Sequence, residues 1–150
     1  MEDARAAGPA DLERCATLLA AALDEFTGHR GGAHVGPLDA TTLLSTWSTE
    51  DADRTLLVGT FDAAVVGLAA GRIDRTAAVA LGQIECCYVE PAARAVGVGS
   101  ALTRALMDWF AACACTEVDA IALPGDRSTK QLLEAAGFKT RLLVLRRSLP

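Results

Sequence analysis

Apolar residues recur along this chain with two periods, and the changes between them mark out its elements. Leu12, Cys15, Leu19, Ala22, Leu23 and Phe26 fall on one helical face, so a helix starts just after Pro9 and ends near Phe26. Residues 27–37 hold four glycines and a proline and form a loop. Leu43, Leu44 and Trp47 place a shorter helix after Asp39. The pattern then turns β-rich. Residues 55–60 and 65–70 flank Asp62-Ala63 as an antiparallel hairpin. Asp74-Arg75-Thr76 turns the chain into a long strand over 79–89. Helical spacing returns at Leu102, Ala105, Leu106, Trp109 and Phe110, followed by a strand over 118–123 that Pro124-Gly125 closes. Ser128 with Gln131 forms a capping box for a helix ending at Gly137. Residues 142–145 are a last strand, and residues 3–6 add a short edge strand at the start.

The resulting order, β-α-α-β-β-β-α-β-α-β, is an α/β layout with an antiparallel first half. A doubly wound dinucleotide fold would alternate strand and helix throughout. The 150 residues are expected to form a single domain, 1–150, with a real core. Hydrophobic residues make up 51% and charged ones 22%, a globular balance. No apolar run approaches the ~20 residues of a membrane span. Met1-Glu2-Asp3-Ala4-Arg5 sets acids ahead of any apolar segment and does not read as a secretory leader. The five cysteines are odd in number and lack Cys-x-x-Cys spacing. They suit buried thiols in a reducing cytoplasm, with no metal site. A net charge of −5 argues against nucleic acid as a partner and mildly favours a cationic substrate.

One stretch carries more chemistry than the rest. Arg94-Ala95-Val96-Gly97-Val98-Gly99 follows the apolar run 84–89 and opens a helix at Ser100-Ala101-Leu102. A strand thus feeds a glycine loop at a helix N-terminus, where unpaired N–H groups and the helix dipole favour phosphate. A dinucleotide loop would need a third glycine where Leu102 stands. Asp119 lies about twenty residues past Gly99, as a ribose-binding acid would, but sits inside the next apolar run. The stretch resembles instead the Arg/Gln-x-x-Gly-x-Gly/Ala motif of the GNAT N-acetyltransferases. Residues 84–106 resemble that family's central strand, loop and helix. Residues 123–138, ending Glu134-Ala135-Ala136-Gly137-Phe138, resemble its fifth strand and fourth helix.

The resemblance implies a GNAT fold: a mixed central sheet of about six strands, the fourth and fifth splayed apart, flanked by about four helices. It implies acetyl-CoA as acetyl donor and no metal. The cofactor would be held by main-chain groups of Cys87, Tyr88 and Val89 and by the loop Arg94, Ala95, Val96, Gly97, Val98, Gly99, Ser100 and Ala101. Glu85 occupies the strand position where many relatives carry a glutamate base; the competing reading is a solvent-facing strand glutamate. The family's usual acid, a tyrosine, is replaced by Leu133, and Tyr88 is the chain's one tyrosine. The activity implied is direct acetyl transfer to a small-molecule or peptide primary amine that nothing in the sequence identifies. The alternative is a non-catalytic acyl-CoA-binding module, sensor or partner, of the same fold; a nucleotide-binding oxidoreductase is a third reading.

Other residues have weaker functional readings. Cys86 and Cys87 read as strand packing before an acyl-accepting pair. His29 and His34 read as solvated loop residues before bases, and Asp24 and Glu25 as helix-end surface before an amine-attracting pair. Arg94 orders the loop more than it contacts ligand, and Arg104 is solvated. An exposed apolar final strand would pair two copies into a homodimer, whereas Arg141, Arg146 and Arg147 as edge blockers would leave a monomer.

Overall fold

A computed structural model describes residues 1–32, 39–47, 50–76 and 78–150. Its centre is a five-stranded sheet in sequence order: β1 (Glu2–Ala6), β2 (Arg54–Phe61), β3 (Ala64–Asp74), β4 (Leu81–Val89) and β5 (Glu117–Ala120). The first four strands are antiparallel neighbours, and β5 joins β4 in parallel. The helices are α1 (Leu12–Gly28), α2 (Ala40–Trp47), α3 (Val98–Ala112) and α4 (Arg127–Ala135). Short 3-10 turns at Pro9–Asp11 and Pro91–Ala93 introduce α1 and the glycine loop.

Alternation along the strands sorts the core into two layers. Leu56, Val58, Leu68 and Ala70 face α1 and α2, packing on Cys15, Leu18, Leu19 and Trp47. Leu57, Ala69 and Ile73 face α3, packing on Val98, Leu102, Leu106 and Phe110. With helices on both faces, β2 and β3 are buried along most of their length. Glycines let α3 approach the sheet: a Cβ on Gly82 would stand 2.6 Å from Phe110 Cδ1. The hairpin closes with Asp62 and Ala63 at φ of 48° and 69°, so Phe61 faces Ala64 across a two-residue turn.

Several expectations need correction. The sheet has five strands among the described residues, against about six expected, because residues 142–145 form no strand. Leu142, Leu143, Val144 and Leu145 are instead 77–92% exposed. The strand read over 118–123 spans Glu117–Ala120. The helix after Pro124-Gly125 is capped by Asp126, which accepts from Thr129 N (3.1 Å), not by a Ser128–Gln131 box. Asp wins because its carboxylate sits three residues ahead of a free amide, while Ser128 is already inside the helix and bonds Asp126 itself.

Candidate active site

The site begins at an irregularity in β4. Ala70 of β3 faces Cys86, but the next residue, Gly71, faces Ile84, so Glu85 is an extra residue in a β-bulge. A bulge bends the strand and re-aims the side chain it carries. The Glu85 carboxylate points among guanidiniums: Arg72 Nε lies 3.2 Å from Oε1 and Arg54 Nη1 3.5 Å from Oε2. Its side chain is 24% exposed, on the wall of a large cavity.

Beyond the bulge, β4 loses its second neighbour. The β4–β5 pairing runs from Leu81↔Glu117 to Ile84↔Ala120 and stops, while β4 continues to Val89. Glu90 N donates to Val66 O of β3 at 3.0 Å. By the alternation of an antiparallel strand, the N–H and C=O groups of Val89 and Cys87 therefore face away from β3 into the gap. Arg94 Nε takes the Val89 carbonyl at 2.8 Å; the Val89 and Cys87 amides are left to face the gap.

The glycine loop follows. Arg94 is held at both ends, since its Nη2 also meets Glu25 Oε2 of α1 at 2.6 Å, and its guanidinium lies 5.6 Å from the Tyr88 ring centre. Ala95 (φ 65°) and Gly97 (φ 93°) both take left-handed backbone. Residue 97 then caps α3, and the first helical bond runs from Ala101 N to Gly97 O at 2.9 Å. The N–H groups of Val98, Gly99 and Ser100 precede it and have no partner within the helix. Of the loop residues named from the sequence, Arg94, Ala95, Gly97, Gly99 and Ser100 line the cavity. Val98 does not line the cavity: its side chain is buried in the α3 core; Val96 points to solvent, and the Ala101 amide is spent on Gly97. Arg104 is exposed in a groove between α3 and α4.

One cavity of about 870 Å³ joins these parts, from α1 and α2 across β4 to the loop and α4. Its volume is in the range of cofactor sites. The N-terminus of α3 with its orphan amides, the left-handed backbone of Ala95 and Gly97 beside it, and the Cys87 and Val89 stretch of β4 all border this one cavity. This set of donors suits a ligand with a pyrophosphate and an amide-bearing arm, as acetyl-CoA has. Leu133 is buried in the cavity wall and offers no proton. Tyr88 lines the cavity, and burial raises its phenol above the ordinary value. Burial also raises the thiols, Cys87 to about 11 and Cys86 further, so both stay protonated near neutral pH. The buried His29 Nε2 has no hydrogen-bond partner among the described residues and stands 3.8 Å from Glu25 Oε1. Asp24 is exposed, and His34 lies outside the described residues. Among the described residues no cluster suited to a metal ion is found. Neither is any helix long and apolar enough to cross a membrane. Sequence reasoning missed Arg54 and Arg72; their only signal is their register beside the bulge.

This architecture is found in known proteins. A sequence model described as the acetyltransferase (GNAT) family matches residues 16–138, and the chain belongs to that family. No curated protein sequence matches it. Solved structures share the fold. A transcriptional regulator from Bacillus halodurans C-125 is 20% identical, with 99% of this chain and 100% of that one covered at a TM-score of 0.76. An aminoglycoside acetyltransferase from an uncultured soil metagenomic sample is 17% identical, with 100% and 99% covered at 0.69. AAC(6')-Iy, solved with a bisubstrate analogue carrying CoA, is 21% identical, with 99% of both chains covered at 0.70.

Proposed function

We propose that this chain is an acetyl-CoA-dependent N-acetyltransferase that passes the acetyl group directly to a primary amine. The observation that carries the reading is a shared cavity: the α3 N-terminus, the Cys87–Val89 stretch of β4 beyond its pairing with β5, and the Glu85 carboxylate all border it. Acetyl-CoA supplies an activated thioester. The Val98, Gly99 and Ser100 amides bind its pyrophosphate. The Cys87 and Val89 amides align the arm and donate to the carbonyl oxygen as negative charge develops there. Glu85 accepts the proton that the incoming ammonium sheds, directly or through water. The amine nitrogen bonds to the carbonyl carbon as the carbon–sulfur bond breaks, the electron pair leaves on sulfur, and the second proton on nitrogen passes to water. With Leu133 in the acid's position the thiolate departs unaided, which a thiol of ordinary pKa ~8.5 tolerates.

A second reading is favoured by the same residues. Glu85 is shared by two guanidiniums and Leu133 is inert, as in a module that binds acyl-CoA without turning it over. Calorimetric titration with acetyl-CoA, followed by a thiol-release assay across a broad amine library, tests both. Binding with amine-dependent thiol release supports the transferase. Binding with no release for any amine supports the module, and absence of binding overturns both.

A further inference from the structure

Resting on the transferase reading, the cavity end away from the glycine loop distinguishes among amines. Between α1 and α2 its wall is apolar: Leu19, Ala22, Leu23 and Phe26 come from one face of α1, Leu43 and Trp47 from α2. Four carboxylates also border the cavity, Glu25, Glu85, Asp119 and Asp126, and three are already engaged. Glu25 holds Arg94 at 2.6 Å. Glu85 lies between Arg72 and Arg54. Asp126 caps α4, accepting from Thr129 N and Ser128 Oγ, each at 3.1 Å. The Asp119 carboxylate has neither hydrogen bond nor ion pair among the described residues. It faces Gln83 in the β4–β5 ladder, two residues along β4 from Glu85, at the end where the strands still pair.

The cavity thus combines one carboxylate on β5 without a partner among the described residues, an apolar wall from α1 and α2, and Arg72, which opposes further cations. A polycation would bring several ammonium groups against surface that cannot replace their water. A single ammonium on an apolar body matches both features: its charge towards Asp119 and Glu85, its body against α1 and α2. We propose that the acceptor is an aralkyl- or alkylamine bearing one positive charge, and not a polyamine or an aminoglycoside.

The test uses the whole chain, with thiol release measured for 2-phenylethylamine, hexylamine, spermidine and kanamycin, and calorimetric binding of each to the CoA-loaded protein. The monoamines should exceed the polycations at least ~10-fold in kcat/KM, the worth of burying an apolar body. Asp119→Asn, at an exposed position, should raise KM for 2-phenylethylamine about 5-fold, as loss of a partly solvated ion pair does. Phe26→Ala should lower kcat/KM for the same amine about 10-fold. Both variants should keep wild-type acetyl-CoA affinity. Polycations turned over as well as or better than monoamines would overturn the acceptor class and leave acetyl transfer standing. Acetyl-CoA binding with no amine bound would overturn the acceptor class as well, and loss of acetyl-CoA binding would sink both readings.

Discussion

Glu85 owes its aim to one extra residue in a strand, and that makes it separable from the fold. Glu85→Gln is nearly isosteric, keeps the bulge and leaves the cofactor end untouched. It is expected to lower kcat about 10²–10⁴-fold for an amine arriving as ammonium, the usual worth of a positioned base. Acetyl-CoA affinity should not move. A variant with wild-type rate would assign Glu85 to its ion pairs with Arg54 and Arg72 instead. Gly97 answers a different question. Its φ of 93° is strained for any side chain, and a Cβ there would stand 3.1 Å from Glu2 Cγ. Gly97→Val should weaken acetyl-CoA binding strongly, because the amides beside it shift and are screened. Circular dichroism should show the fold retained; unchanged affinity in a folded variant would remove the loop from the binding site.

At the scale of elements, polar contacts decide how strand and helix are joined. Arg5 of β1 grips Asp11, at the start of α1, through both guanidinium nitrogens (2.7 and 2.9 Å), and Gly8 N adds a third bond at 2.8 Å. Together they hold the Asp11 carboxyl at about 2, down from an ordinary 3.8. A depressed folded pKa means the contribution is complete above the unfolded value, near 3.8, and is lost as pH falls towards 2. Asp11→Asn should therefore be less stable than the parent at pH 6. Thermal melts should show the gap closing between pH 4 and pH 2, and a gap constant over that range would mean that Asp11 acts by shape and not by charge.

The whole molecule leaves an apolar run uncovered. Leu142 to Leu145 are 77–92% exposed, and β5 has β4 as its neighbour on one side with no strand beyond it among the described residues. An exposed apolar run and an open sheet edge each favour association of copies. Light scattering at micromolar concentrations should show a species larger than a monomer. Deleting residues 141–150 should abolish it while shifting Tm by no more than about 2 °C, because the segment buries little in its own chain. A strict monomer before deletion would refute this.

Much of the chain was legible without coordinates because its determinants are local. The periods of Leu12 to Phe26 and Leu102 to Phe110 belong to single helices, and each came out with its apolar face on the sheet. Gly97 marked the loop because backbone that must turn left-handed at a helix start favours glycine, and Gly99, inside α3, lets the helix start sit close to Leu132, 3.3 Å from where a Cβ would stand. Asp62-Ala63 located the hairpin but not its turn type, since neither residue is glycine and the strand twist imposed the positive φ. What the tertiary structure alone decided is the set of contacts made by register and packing. The bulge exists because Ile84 and Cys86 pair with adjacent residues of β3, which no property of Glu85 announces. Arg54 and Arg72 reach that carboxylate from two other strands, and Glu25 reaches Arg94 across 69 residues of chain. The last apolar run reads as a strand by composition, yet a strand also needs a neighbour to bond, and pairing is a property of two segments that neither carries by itself.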